Sequence, residues 1–195
     1  MISHHTTSSY FGYGSLVNRH TRPPGTQTEP FRLTGWIRQW RHCLENPFTK
    51  VNVYGNICAL TVERRPGSTI DGVLVLADVN ELTSIDSREI GYHREAIDAG
   101  QNRNAYIYVS NDAYHRWASD ACPIWRSYVD CVLAGYLEVF GRDGAERFIA
   151  STEGWDRAAI LDDREEPKYP RAVKLTPAEA SVIDQLLTNI GITFP

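Results

Sequence analysis

The period of the hydrophobic pattern changes near residue 120, and this change limits the possible folds more than any other feature of the sequence. In residues 32–45, RLTGWIRQWRHCLE, alternation puts Trp36, Trp40 and His42 on one face of a predicted strand. In residues 123–141, PIWRSYVDCVLAGYLEVFG, apolar side chains recur at the spacing of a helix. Strands that come first and helices that come later predict an α+β fold.

Turn residues divide the upstream part into further short elements. Residues 10–16, YFGYGSL, indicate a short strand that runs into a glycine turn. Asp78 and Glu81 form a possible capping pair for a short helix over residues 78–89. Pro66 and Gly67 are predicted to link two separate strands. The other predicted strands cover residues 55–67, 70–79, 92–98 and 104–110.

The C-terminal part carries helix signals around an irregular segment. A second helix is predicted over residues 143–152, and a third over residues 176–191. Thr176 can cap the third helix, Pro177 suits its first position, and Glu179 completes a capping box. We therefore expect a flexible tail over residues 1–8, one domain over residues 9–141, and a C-terminal extension over residues 142–195 packed on that domain.

Composition excludes several classes of protein. The 195 residues carry a net charge of -4, which is not the basic balance of a general nucleic-acid binder. No apolar run approaches the roughly 18 residues of a membrane span, and the N-terminus lacks the apolar core of a signal peptide. The four cysteines are widely spread without a C-x-x-C motif, which favours reduced thiols and a cytoplasmic location.

Standard motifs for nucleotide, metal and nucleophile sites are absent. There is no phosphate-binding loop and no H-E-x-x-H metal motif, and GYGSLV lacks the third glycine of a dinucleotide fingerprint. Ser15 does not lie in a G-x-S-x-G elbow, because Tyr13 and Val17 occupy the glycine positions. The sequence thus predicts neither a cofactor nor a metal.

Two stretches remain that can carry chemistry. One is the glycine turn, FGYGSL. The other is IDSREIGYHRE, residues 85–95, where Asp86 and Glu89 share a helix face if the segment is helical. A carboxylate pair can transfer protons, although such a pair more often forms a solvated face.

Together these stretches resemble the gamma-glutamylcyclotransferase superfamily, including its ChaC-type and gamma-glutamylamine branches. The family opens with a strand and an [FY]-x-Y-G-S-L loop, like residues 11–16 here, followed by a G-[WY] strand like Gly35-Trp36. A G-V strand, matched by Gly72-Val73, precedes a short helix that ends in a catalytic glutamate, matched by REIGY. A later S-Y-[LV] helix start is similar to residues 127–129. The matched motifs span roughly residues 9–140.

The resemblance implies a small mixed β-barrel flanked by helices, and a site. In such a site the backbone N–H groups of the turn bind the α-carboxylate of a γ-glutamyl group, because glycines let the backbone approach a ligand. The implied substrate-binding residues are Tyr13, Gly14, Ser15, Leu16 and Tyr92. Glu89 is the implied general acid and base for cyclisation to 5-oxoproline, with no metal and no cofactor. The implied partner is a small γ-glutamyl molecule, and the oligomeric state stays open.

Several assignments have more than one interpretation. Tyr92 either hydrogen-bonds the substrate or packs in the core, and Asp86 is expected to be structural. Arg38 and Arg41 lie on opposite faces of one predicted strand, so at most one can face the pocket. The leading interpretation is a cyclotransferase; the alternatives are a non-catalytic ligand-binding or interaction protein on the same fold, and a related amide-bond enzyme of a biosynthetic pathway, such as one that removes a γ-glutamyl protecting group.

Residues 154–171, GWDRAAILDDREEPKYPR, match none of the family patterns. The segment is too polar for a core element and too rich in apolar residues for a free linker. It is either a strap that only anchors the last helix or a specificity element. In the second interpretation, Arg164 or Arg171 reaches the rim of the pocket and pairs with a carboxylate of the leaving group.

Overall fold

The computed structural model describes residues 8–45, 55–77, 79–100, 103–158 and 160–194. Two 3-10 turns, Ser15–Val17 and Arg19–Thr21, follow the first strand. The predicted tail lies outside the described residues except for Ser8, and so does the predicted cap at Asp78. The strands are β1 (Ser8–Gly12), β2 (Thr28–Leu44), β3 (Ile57–Ala77), β4 (Tyr92–Asp98), β5 (Asn104–Ser110), β6 (Ile124–Trp125), β7 (Thr152–Glu153) and β8 (Ile160–Leu161), and the helices are α1 (Val79–Arg88), α2 (Arg126–Ala150) and α3 (Pro177–Thr188).

Six strands form one mixed sheet in the order β4-β5-β1-β3-β2-β7. β1 pairs with β3 in the antiparallel and with β5 in the parallel direction. The predicted α+β class is confirmed. The expected closed barrel is not observed, because closure requires the two edge strands to pair, and β4 and β7 do not pair within the described ranges.

β3 is one strand where the sequence predicted two. Its partner in β2 shifts from the pair Thr34–Thr69 to the pair Trp36–Arg64, so residues 65–68 bulge out of the ladder. The chain does not reverse at Pro66-Gly67, because β2 is long enough to pair with β3 on both sides of the bulge.

A second irregularity interrupts the predicted alternation in β2. The register shifts between Trp40 and His42. Trp40 packs edge-on against Tyr128 of α2, with ring centroids 5.8 Å apart, whereas the His42 ring stacks on Tyr92 at 3.7 Å. His42 therefore does not share the face of Trp40 as predicted, since a bulge changes the side of the sheet to which the following residues point.

Helix α2 supplies much of the core. Its residues Val129, Val132 and Leu133 are fully buried, and burial of one such side chain stabilises the fold by roughly 1.5–3 kcal/mol. Gly141 interrupts the helix with a φ of +68°, at the boundary between the two helices predicted there. In α3 the predicted capping box is present, with Thr176 accepting from the Glu179 N–H.

Candidate active site

The loop after β1 makes a tight turn. The Val17 N–H donates to the Gly14 carbonyl at 3.0 Å, which closes the turn. The first N–H groups of such a turn have no partner within it. Those of Ser15 and Leu16 donate to no backbone carbonyl of a described residue.

Close packing explains the two glycines of this loop. A Cβ at Gly12 would lie 2.9 Å from the Leu16 Cβ, which is closer than two carbon atoms can approach. A Cβ at Gly14 would lie 3.2 Å from the Tyr128 hydroxyl and 3.4 Å from the Leu60 Cδ1. Larger side chains would therefore push the loop away from α2 and β3.

Glu89 follows directly after α1 and is held by a turn. Its N–H donates to the Ile85 carbonyl at 2.9 Å, and its carbonyl accepts from the Tyr92 N–H at 3.2 Å. Gly91 in this turn has a φ of +79°, and a Cβ there would lie 2.7 Å from the Tyr114 ring. Both the positive φ and the short distance to the Tyr114 ring thus require glycine at position 91, two residues after the predicted catalytic Glu89.

Buried side chains fix this turn from the other side. His42 Nε2 lies 3.1 Å from the Ile90 carbonyl, and burial lowers the pKa of His42 to about 4. The imidazole is therefore neutral at pH 7, and its Nε2–H donates to that carbonyl. The Tyr92 hydroxyl donates to the Leu60 carbonyl at 2.6 Å. The hydroxyl hydrogen of Tyr92 is therefore already used by the protein.

The loop and the Glu89 turn line one cleft with two adjoining sides. The two sides share the lining residues Ser15, Glu89, Tyr92 and Tyr128. We call the first the loop side, because Tyr13, Gly14 and Leu16 also line it. We call the second the strap side; its other lining residues are Leu44, Ile57, Ala59, Arg88, Ile90, Tyr169 and Arg171.

The charge of Glu89 depends on two opposing effects. Burial raises the pKa of this carboxyl, because a poorly solvated site disfavours the ionised form. The nearby guanidinium groups of Arg88 and Arg171 lower it. Arg88 Nε lies 3.4 Å from the Glu89 Oε1, and the Glu89 side chain is 19% exposed. The carboxylate is therefore reachable from the cleft and titrates above its usual range.

The other residues singled out from the sequence have mainly structural surroundings. Tyr13 donates its hydroxyl hydrogen to the Tyr108 carbonyl at 2.7 Å. Asp86 accepts from the Tyr108 hydroxyl at 2.8 Å and lies 3.1 Å from Arg94. Arg38 is fully buried and donates to the Tyr136 hydroxyl at 2.9 Å, and the Arg41 guanidinium lies over the Trp117 ring. Neither Arg38 nor Arg41 lines the cleft.

Three lining residues were not among the predicted site residues. Tyr128 lines both sides of the cleft, and its start-of-helix motif, Ser127-Tyr128-Val129, was the only feature that could have identified it. Arg88 donates to the Thr21 carbonyl at 2.5 Å and also lines the strap side. Tyr169 packs on Tyr128, with ring centroids 4.9 Å apart.

Residues 154–171, which we call the strap, are anchored to α2 along their length. β8 of the strap pairs with β6 just before α2. Asp163 accepts from the Ser127 N–H at 2.7 Å and from its hydroxyl at 2.6 Å. Arg164 donates to both oxygens of Asp130 at 2.7 Å and pairs with Asp184 of α3. Arg164 is therefore an anchor, and only Arg171 of the two proposed arginines lines the cleft.

No family model matches the sequence, and no curated protein matches it significantly. Solved structures do match. One is that of the uncharacterized protein loc79017 from Homo sapiens, with a TM-score of 0.53 and 19% identity over 91% of this chain and 98% of that one. Another is a gamma-glutamyl cyclotransferase, with a TM-score of 0.52 and 18% identity over 92% of this chain and 99% of that one. The protein thus has a gamma-glutamyl cyclotransferase-like fold, which confirms the resemblance at the level of the fold.

The described residues lack two kinds of feature. No helix there has the length and the apolar character to cross a membrane. Nor do those residues contain a group of three or more His, Cys, Asp or Glu side chains suited to hold a metal ion.

Proposed function

We propose that this protein is a gamma-glutamylcyclotransferase-like enzyme that releases 5-oxoproline from a γ-glutamyl amide. The observation that supports this best is the shared lining of the cleft: Glu89 and the Gly14–Leu16 loop, two motifs far apart in sequence, meet at one cavity. A fold that matches a gamma-glutamyl cyclotransferase adds to it.

The proposed reaction is an intramolecular aminolysis. The α-amine nitrogen of the γ-glutamyl group attacks its own γ-carbonyl carbon, the amide C–N bond breaks, and 5-oxoproline and a free amine leave. The α-ammonium must lose a proton before attack, and the leaving nitrogen must gain one. Glu89 can accept the first proton and donate the second, because a carboxylate with a raised pKa serves both as base and as acid near neutral pH.

The loop side of the cleft would hold the glutamyl group. The N–H groups of Ser15 and Leu16, which donate to no backbone carbonyl of a described residue, would be the donors for its α-carboxylate. Because the nucleophile is tethered to the electrophile, the enzyme mainly has to fold the substrate into a near-attack geometry. The aromatic walls formed by Tyr92 and Tyr128 suit this task. The strap side would then receive the amine that leaves.

A direct assay tests the proposal. The purified protein is incubated with a panel of γ-glutamyl amino acids, peptides and amines, and 5-oxoproline is measured by mass spectrometry. We expect release from at least one class, and release that is slower by about 10²–10⁴-fold from a Glu89→Gln variant. Binding of these compounds without any turnover by the wild-type protein would instead favour the non-catalytic alternative.

The cellular setting of this activity is part of the proposal. Cys43, Cys58, Cys122 and Cys131 are all buried and free. Free thiols of this kind fit a reducing compartment, so we propose a cytoplasmic location with a small-molecule substrate and no nucleic-acid partner. Export of the protein with its thiols paired would contradict this location.

A further inference from the structure

Among the described residues of the strap, Arg171 is the one charged residue that lines the cleft without a hydrogen-bond or ion-pair partner. Within the described part of the chain, no hydrogen bond or ion pair engages its guanidinium. The carboxylates of Glu165 and Glu166, which precede it in the strap, are exposed and make no ion pair with it. Arg88, the other cation of the cleft, is already committed to Thr21 and Glu89.

The strap holds Arg171 in place through its neighbours. The Tyr169 N–H donates to the Ser127 hydroxyl at 3.2 Å, and the Ala172 N–H closes a turn on the Tyr169 carbonyl at 2.9 Å. Asp163 also accepts from the Lys168 N–H at 2.9 Å. Tyr169 thus ties this turn to α2 and the turn holds the backbone around Arg171, so less backbone entropy is lost when the guanidinium binds a ligand.

The charges of the strap side favour an anion. With Glu89 ionised, one negative and two positive side chains line this side, and the remaining lining residues are uncharged. A carboxylate that enters here would restore neutrality and accept charge-assisted hydrogen bonds from a planar guanidinium. In the arrangement proposed above, the α-carboxylate of the glutamyl group lies on the loop side and so does not occupy this position.

Building on the proposed cyclotransferase activity, we propose that Arg171 is a specificity-determining residue that binds a carboxylate on the half of the substrate that leaves. The strap matches no family motif. Through Arg171 it selects γ-glutamyl compounds whose leaving amine carries a carboxylate over those whose leaving amine carries none. Arg171 acts in binding, and the proton transfers remain with Glu89.

Two substrates that differ in one group test this. γ-Glutamyl-alanine and γ-glutamyl-ethylamine differ only by the carboxylate of the leaving amine. We expect the wild-type protein to have the higher kcat/KM for γ-glutamyl-alanine. In Arg171→Met the ratio of the two kcat/KM values should fall by about 10- to 100-fold, the usual contribution of a hydrogen bond to a charged group. Arg171→Lys should restore part of the ratio.

A strap residue outside the cleft provides the matched control. Arg157 is also in the strap, but it is more exposed and lines neither side of the cleft. Arg157→Met should leave the ratio unchanged. An unchanged ratio in Arg171→Met, or an equal loss on both compounds, would overturn the proposal, because Arg171 would then act on the glutamyl half or on folding alone.

A binding measurement separates this inference from the proposed activity. If the wild-type protein releases no 5-oxoproline from any compound, the proposed activity is wrong. Calorimetric Kd values for the same two compounds then decide about Arg171. Tighter binding of γ-glutamyl-alanine that is lost in Arg171→Met would support the carboxylate site, whereas equal binding or no binding of both compounds would reject it.

Discussion

Two clusters of charged side chains, both reached by the strap, have opposite characters. The anchoring cluster consists of Arg126, Asp130, Asp162, Arg164 and Asp184, and every member has a partner at 2.7–2.9 Å. The cleft cluster consists of Arg88, Glu89 and Arg171. Its one ion pair, between Arg88 and Glu89, is long at 3.4 Å, and Arg171 has no pair among the described residues.

This difference separates residues of the strap that stabilise the fold from residues that can bind a ligand. A charge whose hydrogen-bonding capacity is saturated by the protein can offer little to a ligand, whereas an unsaturated charge beside a cavity can bind one. Arg164 belongs to the first kind and Arg171 to the second. We therefore expect substitutions in the anchoring cluster to affect unfolding and substitutions in the cleft cluster to affect catalysis.

The largest effect should come from Glu89. Glu89→Gln removes the proton-transfer group and should lower the rate of 5-oxoproline release by about 10²–10⁴-fold. Because burial raises the pKa of Glu89, folding favours its neutral form, and the neutral Gln should keep the free energy of unfolding at pH 7 at least as high as in the wild type. Release assays and urea denaturation measure the two quantities.

Glu95 is the control carboxylate for this experiment. It pairs with Arg64 and lines neither side of the cleft, so Glu95→Gln should retain its turnover. Near wild-type turnover of Glu89→Gln would show that the cleft cluster does not supply the proton-transfer group.

The next effect concerns the anchoring cluster. The side chains of Arg164 and Asp130 are 19% and 3% exposed, and loss of one partner from such a buried pair costs about 3–5 kcal/mol. Arg164→Met should lower the free energy of unfolding by that amount in urea denaturation. Arg171→Met should change it by less than about 0.5 kcal/mol, the usual range for a surface substitution. If the two variants were equally stable, the distinction between the clusters would fail.

A smaller effect is expected in the loop that faces the cleft cluster. Gly14→Val adds bulk against Tyr128 and Leu60, which should cost about 1–3 kcal/mol of stability, and because it displaces the proposed binding loop it should also raise KM. Ser15→Ala removes a hydroxyl but keeps the backbone N–H, so its KM should rise less. A larger rise in Ser15→Ala would show that the hydroxyl, and not the backbone, is the more important contact.

The smallest effect is a shift in pH dependence. Glu89 must be ionised to accept a proton, so kcat/KM should fall on the acid side as pH drops through its pKa. Arg171 lowers that pKa, and Arg171→Met should therefore move the acid limb to higher pH. The profile is measured with γ-glutamyl-ethylamine, and a shift to lower pH would mean that Arg171 does not act on Glu89 electrostatically.

Features that depend on neighbours in the chain could be predicted from the sequence. The capping box of Thr176 and Glu179 and the break at Gly141 are such features, since caps and breaks arise from residues within one turn. The order of strands before helices followed from the hydrophobic period. The positions of the glycine loop and Glu89 came from motifs that resemble a family, and their catalytic roles remain predictions.

Features that depend on distant pairing were decided only by the tertiary structure. β3 continues through Pro66-Gly67 because β2 pairs on both sides, and the open sheet follows from which edges meet. Arg164 and Arg171 look alike in the sequence. Contacts with α2 and α3 make the first an anchor and leave the second beside Glu89, because pairing between side chains depends on distances in space that residue type and spacing do not contain.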